Sequence, residues 1–333
     1  SLFGEVNFIH FVVACNILHF LLLYLMYQFF CIQEVPLTKF LPVVLLFSVP
    51  NFSVHNWPAY LAHVLAIFFL LSTLLFVNKK TIKHWCLGLL CACLACVSSP
   101  VGFLAFLVGV PLILHHYNIR YLWYWTSGFV AIVVIYVWSI MPLGPDMLGL
   151  SNNVSLVTYL LNFVLFFGAI FKSVYSNMHI WGGIFGGIIT IMLGLILFLR
   201  FAYLKKTPLI LSGLLVSLGL PLLISLMRSS YGLGATTADR YRLYEGLVLS
   251  FIYLYFSVAH RPLIKKFFPA ILLFSLLFYG FRLSHNLFHL EKQTKQLKAG
   301  IRNLQISGAS DQLSYYSSQR GANILRTVAQ KGI

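Results

Sequence analysis

The residues able to do chemistry in this chain are few and unevenly placed. Only seven are acidic, Glu5, Glu34, Asp146, Asp239, Glu245, Glu291 and Asp311, so proton transfer must draw on these or on the eleven histidines. The densest polar stretch reads Arg228-Ser-Ser-Tyr231-Gly232-Leu-Gly234-Ala-Thr-Thr-Ala-Asp239-Arg240-Tyr241-Arg242-Leu-Tyr244-Glu245. Arginines beside glycines and tyrosines suit a phosphate or pyrophosphate, which a guanidinium grips through two parallel hydrogen bonds. Arg228, Arg240, Tyr241 and Arg242 are therefore candidate phosphate ligands. Asp239 is placed to cap the helix that follows, and Tyr241 and Glu245 stand one turn apart. A plainer reading competes: Arg240 and Arg242 pair with Asp239 and Glu245 and hold the loop, while the tyrosines anchor it at an interface.

A second patch is Asn51-Phe-Ser53-Val-His55-Asn56-Trp57. His55 could move a proton or contact a sugar hydroxyl, and Trp57 could stack on a pyranose face. Trp at the start of an apolar segment also serves as a plain interfacial anchor. Glu5, with Asn7 and His10 just beyond it, is the carboxylate nearest the chain start, a candidate base or a solvated end residue. His285 and His289 lie one turn apart without a third ligand, so no metal site is expected there. No Walker loop, HExxH, GxSxG or dinucleotide fingerprint occurs.

The elements that must position these residues are set by composition. Of the 333 residues, 60% are hydrophobic and 9% charged, against roughly 25% charged in a soluble domain. The apolar residues fall in blocks long enough, at about 1.5 Å per residue, to cross a ~30 Å hydrocarbon layer. The expected fold is all-α: a polytopic transmembrane bundle with about ten spans, at 7–31, 38–50, 59–78, 85–98, 101–115, 121–141, 180–201, 208–227, 244–259 and 266–281. The six cysteines lie inside these blocks and form neither a zinc pattern nor a loop disulfide framework.

Short-loop charges orient the bundle. Lys79, Lys80, Lys83, Arg120, Lys205, Lys206, Arg261, Lys265 and Lys266 fall on one side, read as cytoplasmic. Residues 51–58, 228–243 and the tail then face outward. Val154–Phe171 reads as an interfacial or re-entrant helix, because a span there would break the charge pattern. Residues 1–282 form the transmembrane domain and 283–333 a small extracytoplasmic helical tail, with an apolar seam through Leu287, Leu290, Leu297, Ile301 and Leu304 and a second helix over Gln319–Lys331. The net charge of +16 sits in loops and tail, which points to anionic lipid headgroups and not to nucleic acid.

The order of the patches carries a resemblance. Ser53 and Trp57 in a Ser-x-x-x-Trp spacing, a long apolar span, a basic loop, the Ser98-Ser-Pro-Val-Gly102 turn and the late Arg228-x-x-Tyr-Gly…Arg240-Tyr241 stretch are similar to bacterial multi-span inner-membrane proteins resembling the GT-C class of lipid-linked-sugar glycosyltransferases. The resemblance implies a sugar donor on a polyprenyl phosphate and transfer on the extracytoplasmic face, for surface glycan assembly or modification. It implies lipid-phosphate ligands at Arg228, Arg240, Tyr241 and Arg242, sugar stacking at Trp57, and catalytic candidates in Glu5, Asp239 and His55. An acidic residue on the first outer loop acts as base or metal ligand in that class; the chain opens on Ser1, so the expectation falls on Glu5 or on residues before it, and a divalent metal enters only with such a loop. A second expectation, from the lack of a clear acid/base pair, is a non-catalytic scaffold or transport subunit that docks a membrane protein partner through its loops and tail. Ion-coupled transport fits less well, since neither mid-membrane charges nor internal repeats are evident.

Overall fold

The computed structural model describes residues 8–47, 61–140, 154–168, 178–237 and 241–307, and among them there is helix but no strand. The helices are α1 (Phe8–Ile32), α2 (Leu41–Phe47), α3 (Leu61–Asn78), α4 (Ile82–Ser98), α5 (Leu104–His116), α6 (Ile119–Ile140), α7 (Leu156–Phe166), α8 (Met178–Leu199), α9 (Phe201–Lys206), α10 (Pro208–Arg228), α11 (Arg242–Ala259) and α12 (Arg261–Ser307). Short 3-10 turns at Leu37–Phe40, Pro100–Phe103, Ser229–Tyr231 and Ala235–Thr237 join some of them. Among the described residues seven helices, within α1, α3, α6, α8, α10, α11 and the first part of α12, are long and apolar enough to cross a membrane. The chain is an all-α polytopic helical protein. Three of the expected spans, 38–50, 85–98 and 101–115, are shorter apolar helices: Leu37–Leu46, Ile82–Ser98 and Pro100–His116.

Helix starts follow the local sequence. Thr81 caps α4 by accepting from the His84 N–H, and Ser155 caps α7 by accepting from the Thr158 N–H at 3.2 Å. The centre of the bundle is α3, α4, α5, α10 and α11, which pack on one another. Within their spanning windows α11 is 72% buried and α6 only 6%. α6 accordingly displays Trp123, Val134 and Trp138, the last 80% exposed. Such a face is stable against lipid tails and would be a liability in water. Its hydroxyls avoid the apolar surroundings by turning inward: Thr126, Ser127 and Ser139 donate to the carbonyls of Leu122, Trp123 and Ile135, one turn back.

The turn between α4 and α5 is tight. A Cβ on Gly102 would land on the backbone of Ala95, so only glycine lets the chain double back here. α7 has 11 residues, about 16 Å at 1.5 Å per residue, too short for a ~30 Å layer.

By contacts the chain divides into residues 1–279 and 280–333. The division falls inside α12, which is a single helix of 47 residues where the sequence suggested a span at 266–281 followed by a separate tail helix. Only Gly280 interrupts the helix formers there; one glycine costs about 1 kcal/mol and does not end a helix. The tail helix expected at Gln319–Lys331 lies outside the described residues.

Candidate functional site

Connectivity sorts the polar residues to two ends of the bundle. At the basic end Asn78, at the close of α3, meets His116 at the close of α5, with Nε2 and Oδ1 3.2 Å apart. The Tyr117 hydroxyl donates to the carbonyls of Val77 (3.1 Å) and Thr81 (3.3 Å). His115 and His116 close α5 beyond its apolar stretch. Partial burial, with Lys80 and His115 nearby, lowers the His116 pKa from 6.5 to about 4.

The opposite end holds the candidate site. α3 and α11 both begin there, which brings His63 on the first turn of α3 to Tyr244 on the first turn of α11. His63 Nδ1 and the Tyr244 hydroxyl are 2.7 Å apart, and their rings meet edge to face at 5.8 Å. Tyr241 stacks on Tyr244 at 6.3 Å and faces His63 at 6.4 Å. Ser99, buried at the turn after α4, is a polar neighbour of the Tyr244 hydroxyl. Glu245 follows Tyr244 and is fully buried. His63, Tyr241, Arg242 and Glu245 all have interaction partners.

A second network fixes the loop that follows Arg228. Asn162, fully buried on α7, donates from Nδ2 to Ser229 Oγ (3.0 Å) and the Gly232 carbonyl (3.1 Å). Its Oδ1 accepts from the Gly234 N–H at 2.8 Å, and its carbonyl accepts from Thr236 Oγ1 at 2.8 Å. Gly232 and Gly234 have φ of +100° and +80°, in the region that favours glycine. Four bonds from one asparagine therefore hold Ser229–Thr236 against α7. Arg228, half-buried at the end of α10, places its guanidinium 5.5 Å from the ring centroid of the exposed Tyr231.

Among the sequence candidates, Tyr241, Arg242 and Glu245 come together at the start of α11, and Arg228 lies at the same end of the bundle, on the last turn of α10 just before the Asn162-bound loop. Tyr241 is packed inside, 2% exposed, and does not display its ring at a surface. It occupies the cap position of α11 without a side-chain cap bond. Glu5, His55, Trp57, Asp239 and Arg240 lie outside the described residues. The sequence singles out neither His63 nor Asn162, and it offers Ser99 only as part of the Ser98–Gly102 turn. His63 stands near the start of an apolar block, and its pairing with Tyr244 is what sets it apart from an interfacial residue.

No protein-family model, curated protein or solved structure matches the chain.

Proposed function

We propose that this chain is a glycosyltransferase-like protein of the bacterial inner membrane that takes a polyprenyl-phosphate-linked sugar at its extracytoplasmic face, for surface glycan assembly or modification. The observation that carries the reading is the half-buried His63 paired with the fully buried Tyr244 at 2.7 Å, with the buried carboxyl group of Glu245 next in sequence. Withdrawing a carboxylate from water costs several kcal/mol, and ionisable groups at membrane depth persist where they bind or move charge. The lysines and arginines at the other end support a cytoplasmic placement of that end, and so an outward placement of the cluster.

In this reading Arg228, with Arg240 and Arg242, holds the lipid phosphate through charge-assisted bonds. His63 receives the proton of the acceptor hydroxyl as that oxygen attacks the anomeric carbon, and the polyprenyl phosphate leaves with the bonding electrons. Tyr244 fixes the imidazole, and Glu245 orients the neighbouring cations. Asn162 keeps the arginine loop in the shape the donor meets.

A non-catalytic subunit that docks a partner is the second reading. It is favoured by the deep burial of Tyr241 and Glu245 and by Leu287 and Phe288, which α12 leaves exposed.

The test is release of sugar from a polyprenyl-phosphate-linked donor by the full chain in vesicles. His63→Ala should lower the rate by about a hundredfold or more. Arg228→Ala should weaken polyprenyl phosphate binding about tenfold, the loss of one charge-assisted bond. A parent chain that neither binds nor turns over the donor would contradict the enzyme reading and leave the docking subunit.

A further inference from the structure

The basic end of the bundle contains a cavity of about 730 Å³ between α5, α8, α9 and α10. Its walls are apolar, with Val110 and Leu114 from α5, Leu197 and Phe198 from α8, and Leu211 and Leu215 from α10. Its polar lining is cationic or titratable: Lys205 and His115. The gap exists where α8 offers Gly194; a Cβ built there would meet nothing within 4 Å. Pro111 also lines it, and proline removes an N–H and leaves the carbonyl one turn earlier without its usual donor.

A dry apolar trough of this size would forfeit dispersion contacts along its whole wall, and its volume is that of a small-molecule site. Charge decides between occupants. Glu34, Glu245 and Glu291 are the acids among the described residues, and none lines the cavity. Lys205 is exposed and steadied by Phe201, its Nζ 4.8 Å from the ring centroid. Lys206 follows it in sequence. Cations at the rim with apolar walls beside them match a phosphate headgroup on an acyl chain, and basic pockets between helices at the cytoplasmic side of membranes take such lipids.

We infer that this cavity binds one anionic glycerophospholipid from the surrounding leaflet, with an acyl chain along Leu197, Phe198 and Leu211 and its phosphate at Lys205 and His115. The site is separate from the His63–Glu245 cluster and does not depend on what that cluster does.

The full chain, purified in detergent, is given phosphatidylglycerol or phosphatidylcholine, and retained lipid is counted by native mass spectrometry. The parent should prefer phosphatidylglycerol about fivefold, the effect of one cation at a headgroup. Lys205→Ala should erase the preference and leave acyl-chain binding. Gly194→Leu, which fills open space, should lower the number of retained lipids by one for both headgroups. Equal retention of the two lipids by the parent would overturn the site, as would displacement of phosphatidylglycerol by inorganic phosphate alone. Should Gly194→Leu fail to fold, Lys205→Ala decides, because its side chain is exposed; unchanged preference in that variant overturns the inference.

Discussion

The hydroxyl of Tyr244 is fully buried and its bond to His63 spans two helices far apart in sequence. Removing it with Tyr244→Phe leaves His63 Nδ1, on a half-buried ring, without that contact and should cost about 1 kcal/mol, the net worth of one hydrogen bond. Reversible unfolding in mixed micelles measures this; no loss would mean that the pair contributes little. Glu245→Gln keeps the shape and sheds the charge. If the carboxylate is retained for function, this variant folds normally and loses sugar release. If it is held for structure alone, the variant is destabilised and sugar release, per folded molecule, is unchanged. At this scale the arginine-rich loop was legible because charge in an apolar sequence stands out. His63 was not, because a single histidine two residues inside an apolar helix resembles an ordinary interfacial residue until Tyr244, 181 positions away, is placed beside it.

Elements with little length of their own do much of the positioning. α7 cannot span a membrane, yet its Asn162 sets the path of Ser229–Thr237. Asn162→Ala should speed amide exchange at Gly232–Thr237 while leaving the middle of α11 protected, since the bonds lost belong to the loop. Equal exchange in both variants would show that α7 packing alone holds the loop. At the basic end, the lowered pKa of His116 means that the folded state favours the neutral ring. Protonation is then linked to opening: stability from this group is present above about 6.5 and is lost as pH falls toward about 4. Exchange at Tyr117 and Lys80 should rise across that window, and His116→Gln should remove the rise. The apolar blocks predicted most helices to within a few residues, because lipid as solvent demands continuous apolar helix. The contacts divide the chain at 279/280, yet the helix itself does not stop at residue 281: the change from apolar to amphipathic pattern alters which face is wetted and α12 runs on to Ser307.

For the whole molecule, a chain with 9% charged residues has the short-loop lysines at one end of a bundle and the His63–Tyr244 pair, with Arg228 and Arg242, at the other. That polarity was legible from loop charges, whereas the meeting of α3 with α11 required the fold. The proposed role of the far end as a polyprenyl-phosphate site is tested most directly by photo-crosslinking. A polyprenyl phosphate carrying a photoreactive group near the phosphate is added to the full chain in vesicles, and the adducts are mapped by peptide mass spectrometry. Adducts within 61–64 and 228–245, lost on Arg228→Ala, are the predicted result; adducts confined to the basic end around Lys205, or an unchanged pattern in Arg228→Ala, would contradict it.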